Sequence, residues 1–147
     1  MNRDRFPVVV HVLLLRAAAN AAEAVFLLRR ANTGFMDGYY VLPGGHQQGG
    51  ESVSQAARRE CQEETGVVVA DLTAVCVMPY LSGDHQGLNF LFEAHAWQGE
   101  PALCEATLFD ACRWWATDDL PQPHAAWLPD ALVARQAGDW FLEFGWD

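Results

Sequence analysis

The chain has 147 residues, 51% of them hydrophobic, and sets nine Lys and Arg against nineteen Asp and Glu for a net charge of −10. That length suits one domain, residues 1–147, with enough apolar material for a proper core. No basic tract offers charge neutralisation along a polyanion, which argues against a nucleic-acid polymer as partner, and no stretch approaches the ~20 apolar residues of a membrane span.

Residues 8–15 form the first apolar run. It follows Arg3 and Arg5, but it is short, contains His11 and has no clear small-residue cleavage site, so it reads as a strand rather than a signal peptide. An Ala- and Asn-rich loop leads to a second strand over residues 24–29. Tyr39-Tyr40-Val41-Leu42 is a short third strand, closed by Pro43-Gly44-Gly45. That tripeptide turns the chain sharply and lets backbone carbonyls approach a cation or a phosphate.

Residues 51–64 hold good helix formers with no internal Gly or Pro, and Thr65-Gly66 follows as a stop. Two long β-branched or aromatic runs, residues 67–78 and 88–97, flank the turn residues Ser82-Gly83-Asp84. A short strand over 110–115 and a helix over 129–136 complete the order. There are no repeats or linkers. Mixed strands with helices on both sides fit an α+β fold, an α/β/α sandwich with a mixed sheet.

The cysteines, Cys61, Cys76, Cys104 and Cys112, show no C-x-x-C pairing, so zinc and a disulfide framework are poorly supported and reduced thiols of a cytoplasmic protein are expected. Cys61 reads as a small hydrophobe, not a nucleophile. The five histidines lack metal-ligand spacing and read as surface, turn or packing residues.

The chemistry concentrates between Gly45 and Val67, spaced as G-x5-E-x7-R-E-apolar-x-E-E-x-G-apolar. With seven identities fixed, chance gives on the order of one match in a hundred million start positions. On a helix, Val53, Ala56, Ala57, Glu60, Cys61 and Glu64 share one stripe, with Glu63 at its edge. The carboxylates thus lie on the packing stripe and crowd the helix C-terminus, where the macrodipole disfavours negative charge. A divalent cation resolves both difficulties, and oxygen ligands suit Mg²⁺. The alternative, an ordinary acidic surface, fits the stripe poorly. Arg59 is either a solvated partner of these carboxylates or a cation that fixes the orientation of one of them. The second is favoured, because metal ligands need support of that kind.

This spacing is identified as a Nudix box, and the chain resembles MutT-type Nudix hydrolases from about Val8 to Leu120. The similarity includes Arg29-Arg30 leading to Leu42-Pro43-Gly44-Gly45, and the run Trp97-Gln98-Gly99-Glu100-Pro101. The resemblance implies the Nudix fold and hydrolysis of a nucleoside diphosphate linked to another moiety. For a nucleoside triphosphate the products would be monophosphate and pyrophosphate. Nucleotide sugars, dinucleoside polyphosphates and a non-catalytic nucleotide sensor are the alternatives.

The resemblance also implies Mg²⁺, with Mn²⁺ as a substitute, at Glu60, Glu63 and Glu64 and at the Gly44 carbonyl. A further glutamate follows the Trp97–Pro101 run in those proteins, and its match here is Glu105; Glu93 and Glu100 are the competitors. Glu60, oriented by Arg59, is the first choice for general base and Glu105 the second. An asparagine that reads the base in MutT-type members falls near His124 here, so substrate-binding residues stay unassigned. Tyr39, Tyr40, Phe90 and Trp127 are candidate stacking surfaces or core. The apolar segment Phe141-Leu142-Glu143-Phe144-Gly145-Trp146 docks on the body, lines the substrate pocket or forms a homodimer contact.

Overall fold

The computed structural model describes residues 1–20 and 23–146. Its organiser is β1 (Val8–Arg16), where Val10, Val12 and Leu14 are fully buried on one face and Leu13 and Leu15 on the other. That is why the run is continuously apolar rather than alternating: the strand lies in a sheet covered on both sides. Each such side chain contributes about 1.5–3 kcal/mol by leaving water.

β1 runs parallel to β7 (His85–Ala94) from Val8↔Leu88 to Leu14↔Ala94, and β7 pairs antiparallel with β6 (Thr73–Ser82). On the other side, β2 (Ala24–Arg30) joins β1 at Leu15 and Arg16, and carries β3 (Tyr40–Val41) and β9 (Phe109–Ala116). Strand order in this mixed sheet is β3-β2-β1-β7-β6, with β4 (Gly44–His46) and β9 off that path. β5 (Val68–Val69) and β8 (Trp97–Gln98) make a separate ribbon.

Helix α1 (Val53–Thr65) covers the Val10 face through Ala56, Ala57 and Cys61, small residues that let it approach closely. Ser52 and Gln55 form a reciprocal capping box, and Gly66 ends the helix in the left-handed region at φ 82°. Helix α2 (Leu128–Ala137) covers the Leu13 face through Leu128, Ala131 and Ala134. The α/β/α sandwich is therefore as expected from the sequence. No helix among the described residues is long and apolar enough to cross a membrane.

Two expected strands are corrected. The run 67–78 divides into β5 and β6, and the run 88–97 ends at Ala94 before resuming as β8. The cause is Asp71, whose carboxylate accepts from the amides of His95 and Ala96 and holds both breaks together. β7 also starts earlier, at His85, across a two-residue turn from Ser82.

The terminal aromatic segment runs along the free edge of β6. Val77 donates to Trp140 O and Leu81 to Phe144 O, while Leu142 and Phe144 donate to Val77 O and Pro79 O. The segment therefore docks against the body, and its hydrogen bonds cap an otherwise open sheet edge.

Candidate active site

The site lies where β1 exchanges one neighbour for another. Its C-terminal end pairs with β2, whereas Val9, Val10 and His11 pair with His46, Gly45 and Gly44 of β4. The sequence reading had Pro43-Gly44-Gly45 turn the chain sharply and bring backbone carbonyls toward a cation or phosphate; the structure places strand β4 at Gly44–His46, because β1 offers an unpaired edge that local turn chemistry does not reveal. Val12 donates to Pro43 O and Gln47 to Val8 O, both at 2.9 Å. In such a ladder the intervening positions, Gly44 among them, direct their own N–H and C=O away from the partner strand. The Gly44 amide accordingly donates to Glu64 Oε1 at 2.9 Å.

Both glycines are needed for space. A Cβ on Gly44 would lie 2.0 Å from Val10 O, and one on Gly45 would lie 2.6 Å from the carboxyl carbon of Glu60. The Glu60 carboxylate thus rests against the bare backbone of Gly45.

Arg59 organises the acidic side chains. It grips Glu51 with two bonds of 3.0 and 2.8 Å, donates to Glu60 at 3.0 Å, lies 3.3 Å from Glu63, and reaches His46 O at 3.2 Å. These partners, Glu51 foremost, hold its pKa above the usual range, so it stays charged. Of the two readings, orientation of Glu60 is the one this geometry supports. Glu51 was in the motif but had no assigned role; its spacing to Arg59 is the signal for this pairing.

Burial raises the Glu60 pKa, with Arg59 opposing and Glu63 and Glu105 adding to it. Glu64 is 6% exposed. Burial pushes its pKa to about 8, opposed by the Gly44 amide, with the charges of Glu60 and Glu105 raising it further and that of Arg30 lowering it. Arg30 entered the sequence reading only as part of the family resemblance, with no role assigned to it.

Glu60, Glu64 and Glu105 therefore share one electrostatic neighbourhood, and Glu63 stands more exposed at its rim. Glu105 reaches it because the loop before β9 is tied to the end of α1, Ala102 donating to Thr65 O and Cys104 to Glu64 O. The competitors are elsewhere: Glu93 pairs with Arg135 and His95, and Glu100 with Arg16. Among the described residues, no three acidic, His or Cys side chains already converge at coordination spacing. The donor set still fits a hard divalent cation: oxygen ligands only, partly buried, with negative charge that Arg59 does not neutralise.

Cys61 is fully buried, with its thiol pushed up to about 11 by burial, consistent with an inert apolar residue. All four cysteines are free. Phe90 packs on the α1 face, Tyr40 packs edge-on to Trp115, and Trp127 lies 4.5 Å from His11 between ring centroids. His124 is bridged to Tyr40.

The chain is similar to known proteins. The family profile for the NUDIX domain matches residues 5–136. The chain belongs to the Nudix family. It is 30% identical to the 8-oxo-dGTP diphosphatase of Escherichia coli (strain K12) over 82 residues, 56% of this chain and 64% of that one. It is 33% identical to the NAD-capped RNA hydrolase NudC of Vibrio vulnificus (strain CMCP6) over 98 residues, 67% of this chain. The match spans only 35% of that relative's length. Among solved structures, the MutT NUDIX hydrolase from Burkholderia pseudomallei aligns with a TM-score of 0.79 at 29% identity, covering 88% of this chain and 98% of that one. The NUDIX domain of Shewanella oneidensis NrtR, complexed with ADP ribose, shares the fold at a TM-score of 0.76 and 21% identity, covering 92% of this Nudix chain and 88% of that one.

His11 gives a stability prediction. Burial lowers its pKa from 6.5 to about 4, against the Asn89 hydrogen bond that raises it. The unfolded chain therefore binds a proton that the folded one refuses. This contribution is fully present above pH 6.5, is lost as pH falls through that value, and stops changing below about 4. The loss is on the order of 3 kcal/mol. Denaturant unfolding of wild type and His11→Gln between pH 7 and 4 should show the steeper decline in wild type; parallel profiles would contradict it.

Proposed function

We propose that this chain acts as one divalent-metal-dependent pyrophosphohydrolase domain, cleaving a nucleoside triphosphate to monophosphate and pyrophosphate. The observation that carries this reading is the buried Glu64 carboxylate, set beside Glu60 and Glu105 with the Gly44 amide as its only hydrogen-bond partner among the described residues. Family membership and the likeness to an 8-oxo-dGTP diphosphatase support it. Glu60, Glu63, Glu64 and the Gly44 carbonyl would hold the cation. When bound, that cation would screen the charge of the anhydride oxygens and acidify a water.

The chain's own groups have separable roles. Arg59 fixes the Glu60 carboxylate, and Glu60 takes the proton of the attacking water. Glu105 is the second candidate for that step. The α1 end and β4 backbone hold these groups on rigid elements, which aligns the attack.

Attack is expected at the β-phosphorus. In ¹⁸O-water, with Mg²⁺ or Mn²⁺, mass spectrometry should find the label in pyrophosphate. The panel should contain nucleoside triphosphates, dinucleoside polyphosphates and nucleotide sugars. Label only in the monophosphate would mean attack at the α-phosphorus. Orthophosphate release, or inactivity across the panel with metal bound, would overturn the proposed reaction.

A further inference from the structure

By capping the edge of β6, the terminal segment becomes an edge itself. Trp140 O, Leu142 N and both backbone groups of Phe144 are spent on β6. The N–H and C=O groups of Phe141 and Glu143, which lie between those positions, therefore point away from the sheet. Among the described residues no backbone group meets them. The segment is held close to β6, since a Cβ on Gly145 would clash with Leu81 O. Exposed rings flank it, with Trp140 70% exposed, Phe141 45% and Trp146 42%. A fixed, open edge beside apolar rings is a template for one more strand.

Charge decides which strand fits. Arg135 is the last basic residue of the chain, and Asp139 and Glu143 follow it. The edge is acidic, so its complement is basic. Most of the chain's arginines are already engaged. Arg16, Arg29, Arg59 and Arg135 meet carboxylates. Arg30 and Arg58 donate to carbonyl oxygens, and Arg113 lies over the Trp115 ring. Arg3 and Arg5 have no partner of any of these kinds among the described residues, and both are exposed.

These two arginines sit in the segment Arg3-Asp4-Arg5-Phe6 ahead of β1. Phe6 and Trp146, with Pro79 and Leu88, line one cleft of about 330 Å³. The basic segment therefore begins beside the end of the acidic edge, yet no backbone bond joins the two among the described residues. Extended, it would place Arg3 and Arg5 on one side and Asp4 and Phe6 on the other. The terminal segment likewise turns Leu142 and Phe144 toward the α2 core and leaves Phe141 and Glu143 on its outer side. Paired along that edge, the two guanidinium groups would meet the Glu143 carboxylate and the face of Phe141.

We propose that two copies of this chain associate by exchanging these strands: residues 3–6 of each lie along the Phe141–Gly145 edge of the other, about a two-fold axis. The exchange is isologous and closed, so it covers both open edges and leaves none to propagate. It is independent of the hydrolase reading and uses no residue of the carboxylate site.

Sedimentation of the full chain across a concentration series tests it. Wild type at low ionic strength should reach twice the 16.3 kDa of one chain. Association should weaken as salt rises through ~0.1 M, where charges are screened beyond ~10 Å. Arg3→Glu combined with Arg5→Glu should raise the dissociation constant about 100-fold, and so should Glu143→Arg alone, the scale of like charges set face to face. All three reversals together should restore the dimer, because opposite charges then meet again; that recovery also shows that the variants fold. A wild type that stays monomeric, a dimer indifferent to both reversals, or no recovery on combining them would overturn the proposal. A monomeric wild type whose edge takes up a separate basic peptide would assign the edge to a foreign chain and overturn it equally.

Discussion

Glu64→Gln should lower turnover by about 100- to 1000-fold at limiting Mg²⁺, the scale of losing a principal electrostatic group. Gln keeps the shape and can still accept the Gly44 amide bond at 2.9 Å. What it loses is a negative charge that burial and the neighbouring Glu60 and Glu105 disfavour in the metal-free protein. The variant should therefore fold at least as stably as wild type without metal, while being nearly inert with it. Melting in EDTA and single-turnover rates at subsaturating Mg²⁺ measure the two effects. Near-wild-type turnover in a folded variant would remove Glu64 from the site.

The two adjacent glycines should fail in different ways. A methyl on Gly44 would sit 2.0 Å from the carbonyl oxygen of Val10, and neither strand can retreat without breaking the β1–β4 ladder. Gly44→Ala should cost on the order of 3–5 kcal/mol of stability, among the severe single substitutions. A methyl on Gly45 meets instead the carboxylate of Glu60, at 2.6–2.8 Å. That group ends a flexible side chain and can swing aside, so Gly45→Ala should stay within ~1 kcal/mol of wild-type stability. It should still lose activity on the order of 100-fold, the effect of moving a reacting group by about 1 Å. Urea melts and turnover of both variants separate the cases. A Gly45→Ala protein with full activity would show that the Glu60 position is not used.

The layers and helix α1 were legible because their signals are local and periodic. The apolar run of β1, broken only by His11, and the stripe ending at Glu64 each follow from spacing alone, whereas the Ser52–Gln55 capping box came from the structure. What escaped depended on contacts distant in sequence. Asp71 divides two strands by bonding amides more than twenty residues away. β4 exists because β1 leaves an edge free, so Gly44-Gly45 could only read as a turn. Glu105 was reached through the family resemblance, and the structure brings its charge to Glu60 and Glu64. Arg30 acts on Glu64 from β2, a relation that no spacing rule contains. His11 was expected to be a surface, turn or packing residue, and its partly buried bond to Asn89 needed the parallel β1–β7 register to appear.

The account stands most directly on which carboxylates hold the metal and which takes the proton. Mn²⁺ titration by water-proton relaxation, run beside turnover on wild type, Glu60→Gln, Glu64→Gln and Glu105→Gln, addresses both. Glu64→Gln should weaken Mn²⁺ binding at least tenfold, about 1.4 kcal/mol. Glu60→Gln should lose more in rate than in affinity. Glu105→Gln should show that pattern instead only if the proton goes to Glu105. Wild-type Mn²⁺ affinity in all three variants, with turnover intact, would contradict the placement of the metal on α1.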